Sequence, residues 1–182
     1  MPRDAQPIAE TQVILDDLLA LGAAALSPVE GLLDTARMRV AALVTVDGRI
    51  SGPAIEENQT AAHGLAWLAT YVESLRQMQA WAERLSEQGK FGEVEQLIHQ
   101  IAFGEYLAQI TGGIQMNQAE ILRPQDLGLS PEDLRALSAP EVVILTQSGN
   151  TQAARLRLVA LMRERRAEIT VGNAGLDDEL EM

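Results

Sequence analysis

The chain has 182 residues, enough for one domain with a substantial core, and it contains no cysteine. The lack of cysteine excludes disulfides, thiolate zinc sites and cysteine nucleophiles. A formal net charge of -12 at pH 7 disfavours nucleic acid and anionic membranes as partners, because both would repel so acidic a surface.

The N-terminal segment MPRDAQPIAET lacks the apolar stretch of a secretory signal. We also find no run that approaches the ~20 apolar residues of a membrane-spanning helix. Both observations predict a cytoplasmic protein with no membrane partner.

The first third of the chain predicts two helices and a linker. Apolar residues from Ile8 to Leu26 follow helical spacing and indicate an amphipathic helix. Ser27-Pro28-Val29-Glu30 has the spacing of a capping box with proline at the first helical position, which predicts a second helix ending at Asp47-Gly48. The segment VAALVTV in that helix also fits a short strand. The turn-rich stretch RISGPAIEENQ predicts a linker or an exposed crossover.

The middle of the chain predicts a long antiparallel helical hairpin. Its first arm runs from about Ile55 to Gln88, a break follows at Gly89-Lys90-Phe91-Gly92, and the second arm begins at Glu93. We expect this hairpin to be the folding centre, with the first arm covered on more than one side because it carries two apolar stripes. The first stripe is Leu65, Leu68, Val72 and Leu75, and the second is Trp67, Tyr71, Met78, Trp81 and Leu85. The hairpin holds all six aromatic residues: Trp67, Tyr71, Trp81, Phe91, Phe103 and Tyr106.

The remaining segments predict shorter helices. Gly112-Gly113 is expected to kink or interrupt the second arm, and QMNQAEI to resume it before Arg123-Pro124. Short helices are predicted after Ser130-Pro131 and after Ala139-Pro140, followed by an Arg-rich helix capped by Asn150 or Thr151. The apolar residues of that last helix are Leu156, Leu158, Val159, Leu161 and Met162.

These patterns predict an all-α fold, a bundle of about six or seven helices built around the hairpin. We assign residues 1–170 to the bundle and residues 171–182 to a linker and the start of a truncated following domain. The final DDELE run supports this division, because it resembles the first turn of another helix.

Candidate chemical groups are few. His63 and His99 lack metal-ligand spacing, so we expect structural roles for both. Glu105 lies between Phe103 and Tyr106, where burial would raise its pKa and make it a general base. We favour the alternative, a carboxylate at a helix edge or hydrogen-bonded across helices. Glycine-rich nucleotide loops and a GxSxG elbow are missing, so the sequence assigns no catalytic, cofactor-binding or metal-binding residue.

An arginine cluster lies near the C-terminus. Of the 14 basic residues only Lys90 is a lysine, and five of the arginines are Arg155, Arg157, Arg163, Arg165 and Arg166. Such a cluster can hold a phosphate, but we favour a solvated helix face that pairs with acids.

Two runs carry a resemblance to a known family. HGLAWLATYVESLRQMQAWAERL and LIHQIAFGEYLAQITGGIQMNQAEILRPQDLGL resemble the N-terminal helical extension of flavoproteins of the acyl-CoA dehydrogenase family. The ending GLDDELEM is similar to the entry into the first helix of the dehydrogenase body. The resemblance implies an FAD-bound body that removes a proton and a hydride from an acyl thioester with a glutamate base. That body is not part of these residues, and Glu105 does not fall in the family's catalytic motif.

Three functions are compatible with this resemblance. The leading one is a non-catalytic assembly domain that packs on the dehydrogenase body of the same polypeptide in a homo-oligomer, with FAD and the acyl-CoA substrate bound by the parent protein. A second has the cluster from Arg155 to Arg166 meeting the phosphates of CoA. A third is a stand-alone module for protein interaction or acyl-ligand binding, with an aromatic cleft near Trp67, Tyr71 and Tyr106.

Overall fold

A computed structural model describes residues 13–165. This part of the chain is an all-α helical bundle, as predicted, with six α-helices and two short 3-10 segments. The predicted boundary at residue 170, Arg166 and the acidic C-terminal run lie outside the described residues. The elements are α1 (Leu18–Val44), β1 (Thr45–Val46), β2 (Arg49–Ile50), α2 (Gly52–Glu57), α3 (Gln59–Glu87), α4 (Glu93–Gly112), β3 (Ile114–Gln115), β4 (Ile121–Leu122), 3-10 segments at Pro124–Leu127 and Asp133–Ser138, α5 (Pro140–Ser148) and α6 (Gln152–Arg165).

Helix α1 is continuous where the sequence predicted two helices. It begins at Leu18, after Asp17 in a left-handed conformation, so residues 13–17 are not part of the helix predicted from Ile8, which itself lies outside the described residues. Pro28 lies inside α1. The prediction of a cap at Ser27 is therefore wrong. Pro28 removes the backbone bond to the carbonyl of Ala24, but Ala24 is exposed, so water can replace the lost donor. Burial of the flanking Ala25 and Val29 favours helix over the local capping signal.

Helix α1 is also long and apolar enough, by length and composition, to cross a membrane. It has 27 residues, and the mean hydropathy of its most apolar window is 1.3. The expectation that no such stretch exists is therefore wrong for the described residues. The core helix of a globular bundle has the same composition, and ten residues of α1 are buried in this one. We accordingly describe α1 as the core helix of the bundle.

A two-residue β-hairpin follows α1. Asp47 and Gly48 do not end the helix, as predicted, but form the turn between β1 and β2, both with positive φ. Asp-Gly is a strong signal for this turn type, which the helical pattern before it concealed. The predicted linker RISGPAIEENQ is instead β2 and α2, with the Ser51 hydroxyl accepting a hydrogen bond from the Ala54 amide.

Helices α3 and α4 form the predicted antiparallel hairpin. The Tyr71 side chain meets Gln109, while Gln79, two turns further along α3, meets His99 near the start of α4. Helix α1 runs antiparallel to α3 on one side, with Arg76 paired to Glu30 and Gln79 bonded to the carbonyl of Leu19. The three long helices, rather than the hairpin alone, enclose the main core.

The aromatic residues do not dominate this core. Phe103 is fully buried, whereas the other five are only partly buried at the edges of α3 and α4. The centre of the core is built mainly from leucine and valine side chains. Leu68, Val72 and Leu75, in the first predicted stripe of α3, are buried against them.

Gly112-Gly113 interrupts the second arm, one of the two predicted outcomes, but the segment after it does not resume the helix. Gly113 has φ 135, and the chain then forms a small hairpin in which Ile114 pairs with Leu122. Asn117 closes the loop, since its side-chain oxygen accepts hydrogen bonds from the amides of Ala119 and Glu120. Ile114 and Leu122 are both buried, so the hairpin closes one side of the core.

The predicted short helices before α6 are present. Ser130 and Asp133 exchange hydrogen bonds as a cap, although the segment that follows is 3-10 rather than α. Thr151 caps α6, because its hydroxyl accepts from the amide of Ala154. Helix α6 packs on the start of α4 through Ala154 and Leu161, which meet Val94 and Leu97 in a second, smaller core.

Glycine permits a close contact between α4 and the end of α5. A Cβ at Gly104 would lie 2.6 Å from the backbone nitrogen of Asn150 and 2.9 Å from the carbonyl oxygen of Leu145. Both are main-chain atoms, which cannot move aside as a flexible side chain can. The position therefore requires glycine.

We predict opposite effects for two glycine-to-alanine changes. Gly104→Ala lowers the free energy of unfolding by about 1–3 kcal/mol, because the clash outweighs the ~1 kcal/mol gained in helix propensity. Gly31→Ala in α1, where a Cβ meets nothing within 4 Å, raises it by up to ~1 kcal/mol. Urea unfolding of both variants measures the difference. Equal stabilities for the two variants would contradict the close approach.

Candidate functional site

His99 is the most deeply buried ionisable group in the described part of the chain. Its Nε2 atom lies 2.9 Å from Oε1 of Gln79, and its ring stacks on Phe103 with centroids 4.5 Å apart. A Cβ at Gly22 of α1 would lie 2.4 Å from Gln79 Oε1 and 2.8 Å from His99 Cε1. His99 is therefore held between three helices inside the core.

The hydrogen-bond network fixes the tautomer of His99. Gln79 uses its amide nitrogen to donate to the Leu19 carbonyl and to Glu83, so its oxygen must accept from His99. The proton of the neutral ring then lies on Nε2, and Nδ1 is left buried without a hydrogen-bond partner. Burial lowers the pKa of His99 to about 4, because the charged ring would lose its hydration. This environment matches the structural role that we predicted for His99.

Glu105 takes part in a hydrogen-bond chain on the surface. The Tyr71 hydroxyl donates to Oε1 of Gln109 over 2.5 Å, and the Gln109 amide donates to Oε1 of Glu105 over 2.6 Å. The other oxygen of Glu105 accepts from the side-chain amide of Asn150 over 2.6 Å. Glu105 is thus an exposed carboxylate bonded across helices, the alternative that we favoured over a buried base.

This chain of four side chains connects three parts of the fold. Tyr71 lies on α3, Gln109 and Glu105 on α4, and Asn150 in the turn before α6. Partial burial raises the pKa of Tyr71, and the neighbouring Tyr106 and Glu105 raise it further, so its hydroxyl keeps its proton and remains a donor. Of these four residues, the sequence predicted a hydrogen bond across helices only for Glu105, and it did not identify the partners.

A second buried amide anchors the ends of the described chain. Gln100 on α4 is fully buried, donates to the carbonyls of Val13 and Gly149, and accepts from the amide of Leu15. It ties the segment before α1 and the turn before α6 to the same helix. A glutamine at an apolar helical position indicates a buried polar group that needs hydrogen bonds, but it does not identify their partners.

The half-buried aromatic side chains lie along one edge of the α3–α4 hairpin. We call Trp67, Tyr71, Met78 and Tyr106 the aromatic seam; all four pack against the main core and keep part of their surface exposed. The Tyr71 and Tyr106 ring centroids are 4.6 Å apart. His63, the other predicted structural histidine, is exposed and accepts a hydrogen bond from Nε1 of Trp67 over 3.0 Å. The polar atoms of Trp67 and Tyr71 in the seam thus have hydrogen-bond partners within the bundle.

The arginine cluster is divided between two faces of α6. Arg157 makes two hydrogen bonds to Glu93 on α4, at 2.6 and 2.7 Å, which hold the pKa of the Glu93 carboxyl below its usual value. Arg155 and Arg163 lie on the opposite face and make no ion pair with a described residue. Arg155, Arg157 and Arg163 therefore do not converge on one anion, which supports the favoured interpretation of a helix face that pairs with acids over the alternative of a phosphate site.

Three of the five apolar residues identified in the sequence of α6 lie on that opposite face. Leu156 is 62% exposed, Val159 44% and Met162 47%. We call Arg155, Leu156, Val159, Met162 and Arg163 the outer face of α6. Amphipathic spacing alone cannot say which apolar residues a helix buries when both of its sides are apolar.

The cavity and grooves considered next do not combine an enclosed volume with a group of metal-binding side chains. Within residues 13–165, no group of three or more histidine and carboxylate side chains is arranged to hold a metal ion. The gap inside the core beside Leu32, Leu68 and Ile110 has a volume of about 10 Å³, which at most admits one water. Larger grooves are open to solvent; one of about 590 Å³ runs along the start of α1 beside Asp16, Asp17 and Phe91.

The fold and the surface together define the class of the described residues. They form an all-α bundle with a buried polar network in its core and exposed apolar faces. No family model matches the chain. The curated protein (2S)-methylsuccinyl-CoA dehydrogenase from Cereibacter sphaeroides is 57% identical to it over 173 residues, which is 94% of this chain and 30% of the relative. The chain thus spans less than a third of this relative. Over nearly its whole length it is similar to a part of an acyl-CoA dehydrogenase, which confirms the resemblance predicted from the sequence.

Replacing Glu105 by alanine should loosen the turn before α6. Glu105→Ala removes the acceptor of Asn150 and of Gln109, so backbone amides near residues 149–153 should exchange with solvent several-fold faster while those of α3 keep their protection. Hydrogen exchange with mass spectrometry measures this. Glu132→Ala, which removes an exposed pair with Arg135, serves as the control. Unchanged exchange at the turn would mean that Glu105 does not hold it.

His99 predicts a pH dependence of stability. The unfolded chain has the usual histidine pKa of about 6.5, whereas the folded value is about 4. Between these values the unfolded state binds more protons, so stability falls as the pH is lowered from about 6.5 towards 4, by at most about 3 kcal/mol.

Urea unfolding between pH 4.5 and 7 tests this dependence. His99→Gln keeps a donor for Gln79 and removes the titration, so the slope of unfolding free energy against pH should flatten over this range. His63→Gln, which removes the exposed histidine, should retain the slope. A His99→Gln variant with the wild-type slope would refute the assignment to His99.

Proposed function

We propose that this chain is a non-catalytic helical assembly domain of an acyl-CoA dehydrogenase similar to the Cereibacter sphaeroides relative. In this proposal it packs on the dehydrogenase body and helps to fix the oligomeric state of the enzyme. The main support is the aromatic seam: three of the four residues of the first stripe of α3 are buried in the core, while Trp67, Tyr71 and Met78 on the second remain partly exposed.

The seam is suited to burial against another polypeptide. Aromatic side chains contribute much of the binding energy of protein interfaces. Burial of such a ring is unfavourable when its polar atom is left without a hydrogen-bond partner. Here Nε1 of Trp67 already donates to His63, and the Tyr71 hydroxyl donates to Gln109. A partner can therefore cover both rings without leaving a buried donor unsatisfied.

The parent protein would carry the chemistry. By analogy with the relative, it oxidises an acyl-CoA thioester with FAD as the electron acceptor, in the cytoplasm and as a homo-oligomer. The part of the relative outside the match is 70% of its length, ample for a flavoprotein body.

The described residues do not fit FAD themselves. A bound dinucleotide is usually enclosed in a pocket of several hundred Å³ with donors for its phosphates. The bundle interior offers about 10 Å³, and the groove of about 590 Å³ has the carboxylates of Asp16 and Asp17 at its edge, which oppose a diphosphate. We therefore assign no step of the oxidation to this chain.

The test uses a full-length enzyme in which this chain takes the place of the matched 173 residues of the relative. Analytical ultracentrifugation, FAD content and turnover are compared with those of Trp67→Gln/Met78→Gln in the same enzyme. We expect the variant to form smaller assemblies while each chain keeps its FAD, because the seam and not the flavin site has changed.

A control pair removes exposed charge far from the seam, Arg37→Gln/Arg135→Gln. It should leave the assembly as it was. If the seam variant retains the mass, the stability and the turnover of the unsubstituted enzyme, the proposal is wrong.

A further inference from the structure

Two apolar surfaces at opposite ends of the bundle have complementary charge. The first is the outer face of α6, which carries Arg155 and Arg163. The second is the hairpin end, by which we mean residues 43–57: the last turn of α1, the β1–β2 hairpin and α2. The complementary charge of the two surfaces suggests which partner covers them.

The hairpin end is exposed on both of its sides. Val46 and Ile50 point to opposite faces of the two-stranded hairpin, since Val46 pairs with Arg49 and Thr45 with Ile50. They are 53% and 74% exposed. Leu43 and Ile55 add further exposed apolar surface, so the hairpin end is an apolar projection that the described bundle does not cover.

The hairpin end is also acidic. Asp47, Glu56 and Glu57 are exposed and make no ion pair with another described residue, and Arg49 is the one basic side chain in this range. The outer face of α6 is the reverse: three exposed apolar side chains flanked by Arg155 and Arg163, on a chain whose net charge is -12. Each surface therefore combines an apolar centre with the charge that the other lacks.

These surfaces cannot meet within one molecule. Helix α6 packs on the start of α4 through Ala154 and Leu161, beside the turn that joins α3 to α4. The hairpin end follows α1, which is antiparallel to α3, and so lies at the start of α3. Helix α6 begins beside Gly104, about half-way along α4, and runs towards Glu93; even its start is separated from the hairpin end by roughly 25 Å, since the 29 residues of α3 span about 43 Å at 1.5 Å per residue.

We propose that a second copy of this chain covers both surfaces, with the outer face of α6 in one copy packed on the hairpin end of the other. Pairing of like surfaces is disfavoured, because it opposes arginine to arginine or carboxylate to carboxylate. Two bundles side by side and antiparallel form the unlike contact twice, once at each end, and this arrangement closes with two copies. It rests on the proposed function in that both give the chain a role in assembly.

Charge reversal in the 182-residue chain tests this pairing by sedimentation equilibrium. Arg155→Glu/Arg163→Glu and, separately, Glu56→Arg/Glu57→Arg should each weaken the dimer about tenfold or more, because each places like charges together at both contacts. The chain with all four substitutions should recover the wild-type dissociation constant to within about threefold, since the charges are then complementary again.

Matched controls change the same number of charges elsewhere. Arg37→Glu/Arg135→Glu and Asp34→Arg/Glu132→Arg alter exposed side chains of α1 and of the region before α5, and we expect the dissociation constant to stay within about threefold. Leu156→Gln/Val159→Gln, which removes apolar surface and no charge, should abolish the dimer.

Several results would overturn the pairing: a wild-type chain that stays monomeric at about 100 µM, a dimer indifferent to either reversal, or no recovery when the reversals are combined. If the chain is monomeric but the full-length enzyme still loses its assembly on substitution of the aromatic seam, the pairing fails and the proposed function stands. If the chain dimerises as described and the seam substitutions have no effect, the proposed function fails and the pairing stands.

Discussion

The close packing of α1 against the α3–α4 hairpin is the constraint on which the rest of the structure depends. Gly22 lets α1 approach the side chains of Gln79 and His99, which a Cβ at that position would displace. The contact encloses a histidine, and the histidine is tolerable because the Gln79 oxygen accepts a hydrogen bond from its ring N–H and Phe103 stacks on its ring. A polar group at the meeting point of three helices fixes their register, because a shifted helix would leave these donors and acceptors unpaired.

This constraint explains why the other polar links lie where they do. Gln100 follows His99 on α4 and holds the segment before α1 and the turn before α6. One turn further, Gly104 admits the backbone of Asn150, whose side chain reaches Glu105. Helix α4 thus carries, in two turns, the residues that attach α1, α5 and α6. The exposed apolar residues of these helices are not needed to fix the helix register, since the buried polar network does so.

The sequence predicted the fold class, the α3–α4 hairpin and the cap at Thr151, because these depend on periodicity and local capping. It failed where tertiary packing overrides a local signal. Ser27-Pro28 has the pattern of a helix start, yet burial of Ala25 and Val29 keeps α1 continuous, and Asp47-Gly48 forms a β-turn because the helix has already ended at Val44. The roles of Gln79 and Gln100 were not predictable, since a glutamine on an apolar stripe states that a partner is needed but not which one.

Exposed surface was the hardest property to predict from the sequence, and it is where the functional interpretation lies. On α6 the sequence shows only that apolar residues recur at helical spacing; burial of Ala154 and Leu161 against Val94 and Leu97 determines which way the helix is turned. Arg157 then faces α4, where it pairs with Glu93, and Leu156 and Val159 must point away, with Arg155 and Arg163. Packing of two buried residues therefore gives a helix that is apolar on both sides a defined outer face. The chain is acidic overall, yet this face is basic and apolar, and it is the orientation of α6 rather than its composition that makes it available to a partner.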